Sequence, residues 1–420
     1  MPQAIASELL QKDFVDWYRR NRSRSSALFD LLSPEAYTSR PIPLRHPICF
    51  YEGHLPAFSY ITLIERTLGG GPIDAYLEKL FQRGIDPDDA SAAAASAPPK
   101  WPSRREIQEF AKRCDDAVLR ELGNRRSARD ERYLQAAYTI LEHEQMHHET
   151  LVYILQRVPY AQKPKPLDAS TPADGPLPQH ELLSIPAGEA LLGANRGEIP
   201  FGWDNEFGAS VCAVDAFAID KHSVTNADYL RFVDAGGEPP PFWVQRNGRW
   251  FQQAMFEEVE LPLSWPVYVT YDQAAAYARW KGLGLPTEAQ YQRAAYGTPQ
   301  GSQRLFPWGS EAPLHKHGNF DFQQWDPRPA GSFPDGASAW GVQDLVGNGW
   351  EWTSSRFEPF PGFTPMASYP QYSADFFDGK HYVLKGASPV TARELIRRSL
   401  RNWFRPNYPY IYAKFRCVSQ

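Results

Sequence analysis

His143-Glu144-Gln145-Met146-His147-His148-Glu149 is the stretch on which the reading of this chain turns, because it sets two imidazoles four residues apart in a segment that reads as helix. At about 100° per residue, His147 falls roughly 40° around the axis from His143 and one turn along, so both rings can address one metal ion. The flanks are helical text. From Ala128 to Val158 there is no Gly or Pro; Leu134, Tyr138, Leu141, Gln145 and His148 form one stripe, and Ala137, Ile140, Glu144 and His147 its neighbour. Leu151, Ile154 and Leu155 continue an apolar face, and Pro159 ends the helix. The bland alternative is an amphipathic helix with a few surface histidines, but the His-x3-His spacing on an otherwise apolar helix favours a metal pair. His148 lies about 140° from His143 and is not expected as a ligand. Glu149 lies further round and reads as a supporting acid rather than as the third arm of a two-His-one-carboxylate site.

Two histidines alone hold a metal poorly, so a third donor is expected from another helix. Among His46, His54, His180, His222, His315, His317 and His381, His54 stands out, within Phe50-Tyr51-Glu52-Gly53-His54-Leu55-Pro56-Ala57-Phe58. Gly53 there permits close helix approach, and Pro56 suggests a helix break that would expose a ligand. His46, just before Pro47, reads as a cap or a local hydrogen-bonding residue.

The bulk properties narrow the function. A length of 420 residues allows two or three domains, each with its own core. A net charge of -5 with dispersed basic residues argues against nucleic acid or an anionic membrane as partner. Met1 to Arg20 lacks the apolar centre of a signal peptide, and no stretch approaches the roughly 18 apolar residues of a spanning helix. Cys49, Cys114, Cys212 and Cys417 are too scattered for a zinc pattern or a disulfide framework, so a reduced, cytoplasmic protein is expected.

The halves of the chain differ in kind. Up to residue 159 the text predicts a helical bundle, with helices over about 5–31, 47–69, 73–82, 104–123 and 128–158, Pro47 in a first turn and Ser103 as a cap. The Ala-Ser tract from Asp89 to Pro99 reads as a surface loop, and proline-rich residues 160–181 as a linker. From 182 to 420, aromatic, Pro- and Gly-rich text predicts short strands at Leu182–Ile185, Ala190–Leu192 and Ala213–Ile219, and helices near Asn226–Ala235, Thr270–Lys281 and Ala289–Tyr296. The fold class is α+β.

Four ordered segments in this second half carry a resemblance: Ser223-Val224-Thr225-Asn226, Leu285-Pro286-Thr287-Glu288 with the helix after it, Gly347-Asn348-Gly349-Trp350-Glu351-Trp352, and Lys414-Phe415-Arg416-Cys417-Val418. They resemble the formylglycine-generating-enzyme fold, a C-type-lectin-like fold in which Trp350 and Trp352 would be core residues. A bundle bearing Gly-His and His-x3-His-x-Glu followed by such a domain is similar to the DinB-plus-lectin-fold sulfoxide synthases of ergothioneine biosynthesis, the EgtB type, over the whole chain.

That resemblance implies a non-heme Fe(II) enzyme with His54, His143 and His147 as ligands. It would join a sulfur or selenium donor to imidazole C2 of hercynine with O2 as oxidant, and the lectin-fold domain would close over the iron. Three imidazoles leave about three octahedral positions for substrate, chalcogen donor and O2. Asn402 and Trp403 match the loop near the betaine, where an indole face suits a quaternary ammonium. Tyr369 matches the phenol that gives a proton or electron during oxidation, and Tyr372 would line the pocket; two ordinary aromatic core residues are the alternative there.

Departures from the pattern bear on the donor. Phe404 stands where the γ-glutamylcysteine-using branch has an acid, Met146 where it has a glutamine, and only Lys100, Arg104 and Arg105 lie in its arginine region. These departures disfavour γ-glutamylcysteine, and Phe50–Phe58, Leu80–Pro87, Lys385–Thr391 and Arg401–Tyr410 resemble the selenoneine-synthase branch, which implies a selenosugar, 1-seleno-glucose, as donor. A thiol such as cysteine is the alternative. Rival classes are a zinc DinB-type thiol-transferase or hydrolase using the same histidines, a copper formylglycine-generating enzyme using Cys212 and Cys417, and a non-enzymatic lectin-like module.

Overall fold

In a computed structural model of the chain, residues 14–82, 100–124 and 130–419 are described in full and residues 2–13 by their backbone. The molecule is α+β and divides into two compact units, Met1–Leu167 and Asp168–Gln420.

The first unit is built of α1 (Pro2–Asp30), α2 (Pro34–Tyr37), α3 (Ile48–Tyr60), α4 (Ala75–Phe81), α5 (Arg104–Leu122) and α6 (Glu131–Gln156). Ser103 and Glu106 close a capping box at the start of α5, and the Asp130 side chain accepts from Arg132 N at the start of α6. The whole of α3 is buried, as is the Thr139–Gln145 run of α6, so both are core helices rather than amphipathic surface ones. Polar groups in this core are paired between helices: Arg22 Nη1 lies 2.8 Å from Glu144 Oε1, Arg22 Nε 3.0 Å from Asp115 Oδ1, and Tyr18 Oη donates to Asp115 Oδ1 at 2.7 Å. This network ties α1 to both α5 and α6.

Two local expectations need correction. The helix expected over 47–69 begins with Pro47 at the N-cap, runs as α3 to Tyr60 and continues as a π-helical turn, Ile61–Thr67, where Thr67 Oγ1 donates to Thr62 O, five residues back, at 2.8 Å. Pro56 does not break α3, because burial against its neighbours outweighs the local penalty of one lost N–H. The Ala-Ser tract lies outside the described residues.

The division between the units falls after Leu167, within the stretch expected as a linker, 160–181. Buried Lys163 donates from Nζ to Leu155 O at 2.7 Å and Gln156 O at 3.2 Å, closing the C-terminal carbonyls of α6. Beyond the division, the Asp174 carboxylate accepts from Leu263 N at 3.0 Å and Ser264 N at 2.9 Å. Each end is therefore docked by hydrogen bonds to its own unit.

The second unit starts with β1 (Leu182–Ile185), β2 (Gly188–Leu192), β3 (Ser210–Val214) and β4 (Phe217–Asp220). The single strand expected at 213–219 is two: β3 pairs with β2, and after a break at Asp215-Ala216 the chain pairs as β4 with β1. Then come α7 (Asn226–Asp234), the sheet of β5 (Trp243–Arg246), β6 (Arg249–Gln253) and β7 (Glu258–Glu260), α8 (Tyr271–Trp280) and α9 (Glu288–Tyr296). Thr225, Thr270 and Thr287 cap these three helices in boxes with Asp228, Gln273 and Gln290.

A four-stranded sheet orders β10 (Asn402–Phe404), β9 (Tyr382–Ala387), β8 (Gly349–Arg356) and β11 (Ala413–Lys414), and β12 (Val418–Ser419) completes the β1–β4 sheet. Trp350 and Trp352 are core residues, Trp352 donating from Nε1 to Val269 O at 2.9 Å. Beside them Glu351 binds Arg416 Nε at 2.6 Å and Lys414 Nζ at 3.0 Å, all three side chains fully buried. No helix among the described residues is long and apolar enough to cross a membrane.

Candidate metal centre and substrate residues

The buried helix α3 places Phe50, His54 and Phe58 on one stripe, and α6 places His143 and His147 one turn apart. His54 and His143 are almost inaccessible and His147 is half-buried. Each of the three imidazoles offers one nitrogen that lies within 4.8 Å of the others. Ring centroids stand 5.3 Å apart for His54–His143, 5.0 Å for His54–His147 and 4.5 Å for His143–His147.

Aromatic neighbours fix these rings. Phe58 lies face to face with His143 at 3.5 Å and 10°, and Phe50 stacks on His54 at 5.1 Å and 17°. His46 extends that ladder, stacking on Phe50 at 4.1 Å. His148 and Glu149 have other partners: His148 Nε2 lies 2.9 Å from Ser25 Oγ, and Glu149 accepts from Tyr153 Oη at 2.7 Å. Because Ser25 donates its proton to Glu144 Oε1 at 2.6 Å, His148 is the donor in its own bond to Ser25.

The donor set suits a divalent metal. Burial pushes His54 down to about 4, and burial with neighbouring imidazoles pushes His143 and His147 well below the ordinary histidine range. All three are therefore neutral, the form in which imidazole is a ligand. His54 Nδ1 donates to Phe81 O at 2.6 Å, which leaves Nε2 as the lone-pair nitrogen. That buried Nε2, and Nδ1 of His147, have no hydrogen-bond partner among the described residues. A buried polar atom in that state costs about 1–3 kcal/mol, and a cation at the centre of the trio would relieve it.

In the second unit, Asn402, Trp403 and Phe404 form β10, all half-buried. Trp403 stacks on Phe357 at 4.2 Å and 7° and meets the edge of Tyr372 at 5.3 Å and 80°. Tyr372 stacks on Trp203 at 4.0 Å, and Tyr369 lies 5.9 Å from Tyr372. Asn402 Oδ1 accepts from Trp403 N at 2.9 Å. Phe404 stacks on Tyr408 at 5.1 Å and 19°. Met146 is half-buried on α6, one residue before His147.

Arg104 is held by Asp30 at 2.7 Å and Glu52 at 3.2 Å, and Arg401 is buried against Glu288 at 3.1 Å. Cys417 is buried and its thiol is pushed up by burial, the opposite of a metal-binding thiolate. Sequence reasoning missed Phe58, Phe81, Trp203 and the Arg22–Asp115–Glu144 network. Only Phe58 had a signal, four residues from His54.

Residues 169–420 match the sulfatase-modifying factor enzyme 1-like domain, and residues 18–151 the DinB superfamily. Over 302 residues the chain is 36% identical to hercynine oxygenase of Mycolicibacterium smegmatis, covering 66% of this chain and 70% of that one. The chain belongs to the EgtB-type family. The hercynine oxygenase of Mycobacterium tuberculosis is 35% identical over 300 residues, 66% of this chain and 69% of its own. Ergothioneine biosynthesis protein 1 of Schizosaccharomyces pombe is 30% identical over 436 residues, 92% of this chain. The chain spans 53% of that longer relative. Family membership makes this chain an enzyme of the oxidoreductase class.

Proposed function

We propose that this enzyme uses Fe(II) and O2 to form a carbon–chalcogen bond at imidazole C2 of hercynine, with His54, His143 and His147 as the metal ligands. The observation that carries this reading is a buried, neutral imidazole trio in a chain whose mycobacterial relatives are named hercynine oxygenases. Bound iron would supply the one-electron and O2 chemistry that side chains lack.

The chain's own residues would bind and orient. Trp403 would offer an indole face to the trimethylammonium group. Asn402 has its Oδ1 bonded to Trp403 N, so it would present its Nδ2 donor to the betaine carboxylate. Tyr369 would hold the proton moved during oxidation. Tyr372, Phe404 and Met146 complete the proposed substrate contacts.

The names of the relatives favour a thiol donor. A second reading keeps hercynine and makes 1-seleno-glucose the donor. It is favoured by the neutral aromatic face of Phe404 and Tyr408, with Tyr410 edge-on to Tyr408 at 5.1 Å and 77°. It is also favoured by the engagement of Arg104 with two carboxylates, which removes it as a grip for a charged donor. The test is aerobic incubation of Fe(II)-loaded protein with hercynine and, separately, cysteine, γ-glutamylcysteine, thio-glucose and seleno-glucose, with products identified by mass. One donor should yield a hercynine adduct that requires O2; no consumption of hercynine with any of them would overturn the reading.

A further inference from the structure

We propose that Phe81 is the positioning residue of the metal ligand His54, acting through its main-chain carbonyl, and that the side-chain-free surface of Gly53 keeps it in place. The inference rests on the metal role proposed for His54.

A neutral imidazole carries one ring proton, and a ligand must keep it off the nitrogen that faces the metal. Here the Nδ1–H of His54 donates to the Phe81 carbonyl at 2.6 Å, across 27 residues of sequence. Phe81 is the last residue of α4, so its carbonyl is one that the helix itself leaves without a partner, at the negative end of the helix dipole. That bond places the proton on Nδ1 and makes Nε2 the more basic, lone-pair nitrogen.

A helix of 7 residues does not hold its own end in place. The Phe81 ring does. It is fully buried and lies against Gly53 so closely that a Cβ built there would stand 2.6 Å from Cε1, Cε2 and Cζ of the ring. Gly53 has no left-handed φ, and glycine inside a helix costs about 1 kcal/mol against alanine. Close ring contact is the one requirement the structure sets against that cost. Phe50 at 6.0 Å, Phe110 at 6.1 Å and Trp101 at 6.4 Å pack around the ring. The other end of α4 is tied by Glu78, whose Oε1 accepts from Ile73 N at 2.6 Å and Asp74 N at 3.1 Å. A methyl group on Gly53 would therefore displace the Phe81 backbone and take the carbonyl away from His54.

The experiment compares wild type, Gly53→Ala and the double variant Gly53→Ala/Phe81→Leu. Nitrogen-15 histidine NMR of the metal-free proteins reads the tautomer, and anaerobic Co(II) and Fe(II) titrations read affinity. Wild-type His54 should carry its proton on Nδ1. Gly53→Ala should weaken metal binding about 10- to 100-fold and shift His54 toward the Nε2–H tautomer, and Phe81→Leu in that background should recover most of both losses. Wild-type affinity in Gly53→Ala, or no recovery in a folded double variant, would overturn the proposal. Should Gly53→Ala not fold, the wild-type spectrum decides alone, a proton on Nε2 refuting it. Failure of the metal reading looks different: His54→Ala would bind metal as wild type does, while the Nδ1–H tautomer would remain.

Discussion

In the first unit, neutral imidazoles meet with Nε2 of His54 and Nδ1 of His147 lacking hydrogen-bond partners among the described residues, whereas in the second unit the fully buried Glu351, Lys414 and Arg416 satisfy one another at 2.6 to 3.0 Å. Both clusters are expensive to bury. The charged cluster is closed and its product is a fixed core; the imidazole cluster leaves two nitrogens that a further partner would satisfy.

The largest expected effect breaks the imidazole cluster. His54→Ala, His143→Ala and His147→Ala should each stay folded by circular dichroism, lose bound metal by atomic absorption and turn over at background, because each removes a donor rather than a supporting contact. Wild-type metal content in any one of them would strike that residue from the ligand set.

Glu351→Gln breaks the closed cluster and leaves two buried cations uncompensated. It should cost about 3–5 kcal/mol in denaturant unfolding while leaving metal content per folded chain unchanged. A change within 1 kcal/mol, roughly the worth of a surface pair, would mean that the core tolerates those charges unpaired.

Acid separates the two clusters. His54 is neutral in the fold down to about pH 4, while its ordinary value is 6.5, so between these the unfolded state binds more protons and the metal-free first unit loses stability as pH falls. His54 alone accounts for on the order of 3 kcal/mol of that loss. Burial pushes Glu351 up, but Arg416 and Lys414 outweigh it and hold the carboxyl below its ordinary 4.5; its stabilisation is present above that value and lost only as pH falls beneath it. Hydrogen exchange across a pH series should show the first unit opening before the second, and simultaneous opening would contradict the assignment.

Smaller effects sharpen the proposed chemistry. Tyr369→Phe should keep metal and hercynine binding and slow or redirect oxidation about 100-fold, as expected for loss of a positioned proton donor; unchanged rate and products would place the phenol elsewhere. Trp403→Leu should raise KM for hercynine about threefold to thirtyfold with little change in kcat. The same shift with an analogue lacking the trimethylammonium group would show that the indole does not read that charge.

Much of this was legible because it is periodic or local. His143 and His147 declare themselves by helical spacing, the helix start at Ser103 by its capping residue, and Trp350 and Trp352 by the Gly347–Trp352 segment that carries the family resemblance. What stayed hidden is long-range. Arg22 meets Asp115 across 93 residues and Glu144 across 122, and His54 meets a carbonyl, a group that every residue has and no sequence marks. The π-helical turn at Ile61–Thr67 and the break at Asp215-Ala216 were missed because packing and strand pairing overrode local preference.

The most direct test is anaerobic titration of the chelator-treated protein with Fe(II), in competition with Zn(II), followed by exposure to O2 with hercynine and the donor series. One iron per chain is expected, lost in the His54, His143 and His147 variants, with hercynine conversion only with iron and O2. Stoichiometric iron retained when all three histidines are replaced, or turnover supported by zinc without O2, would contradict it.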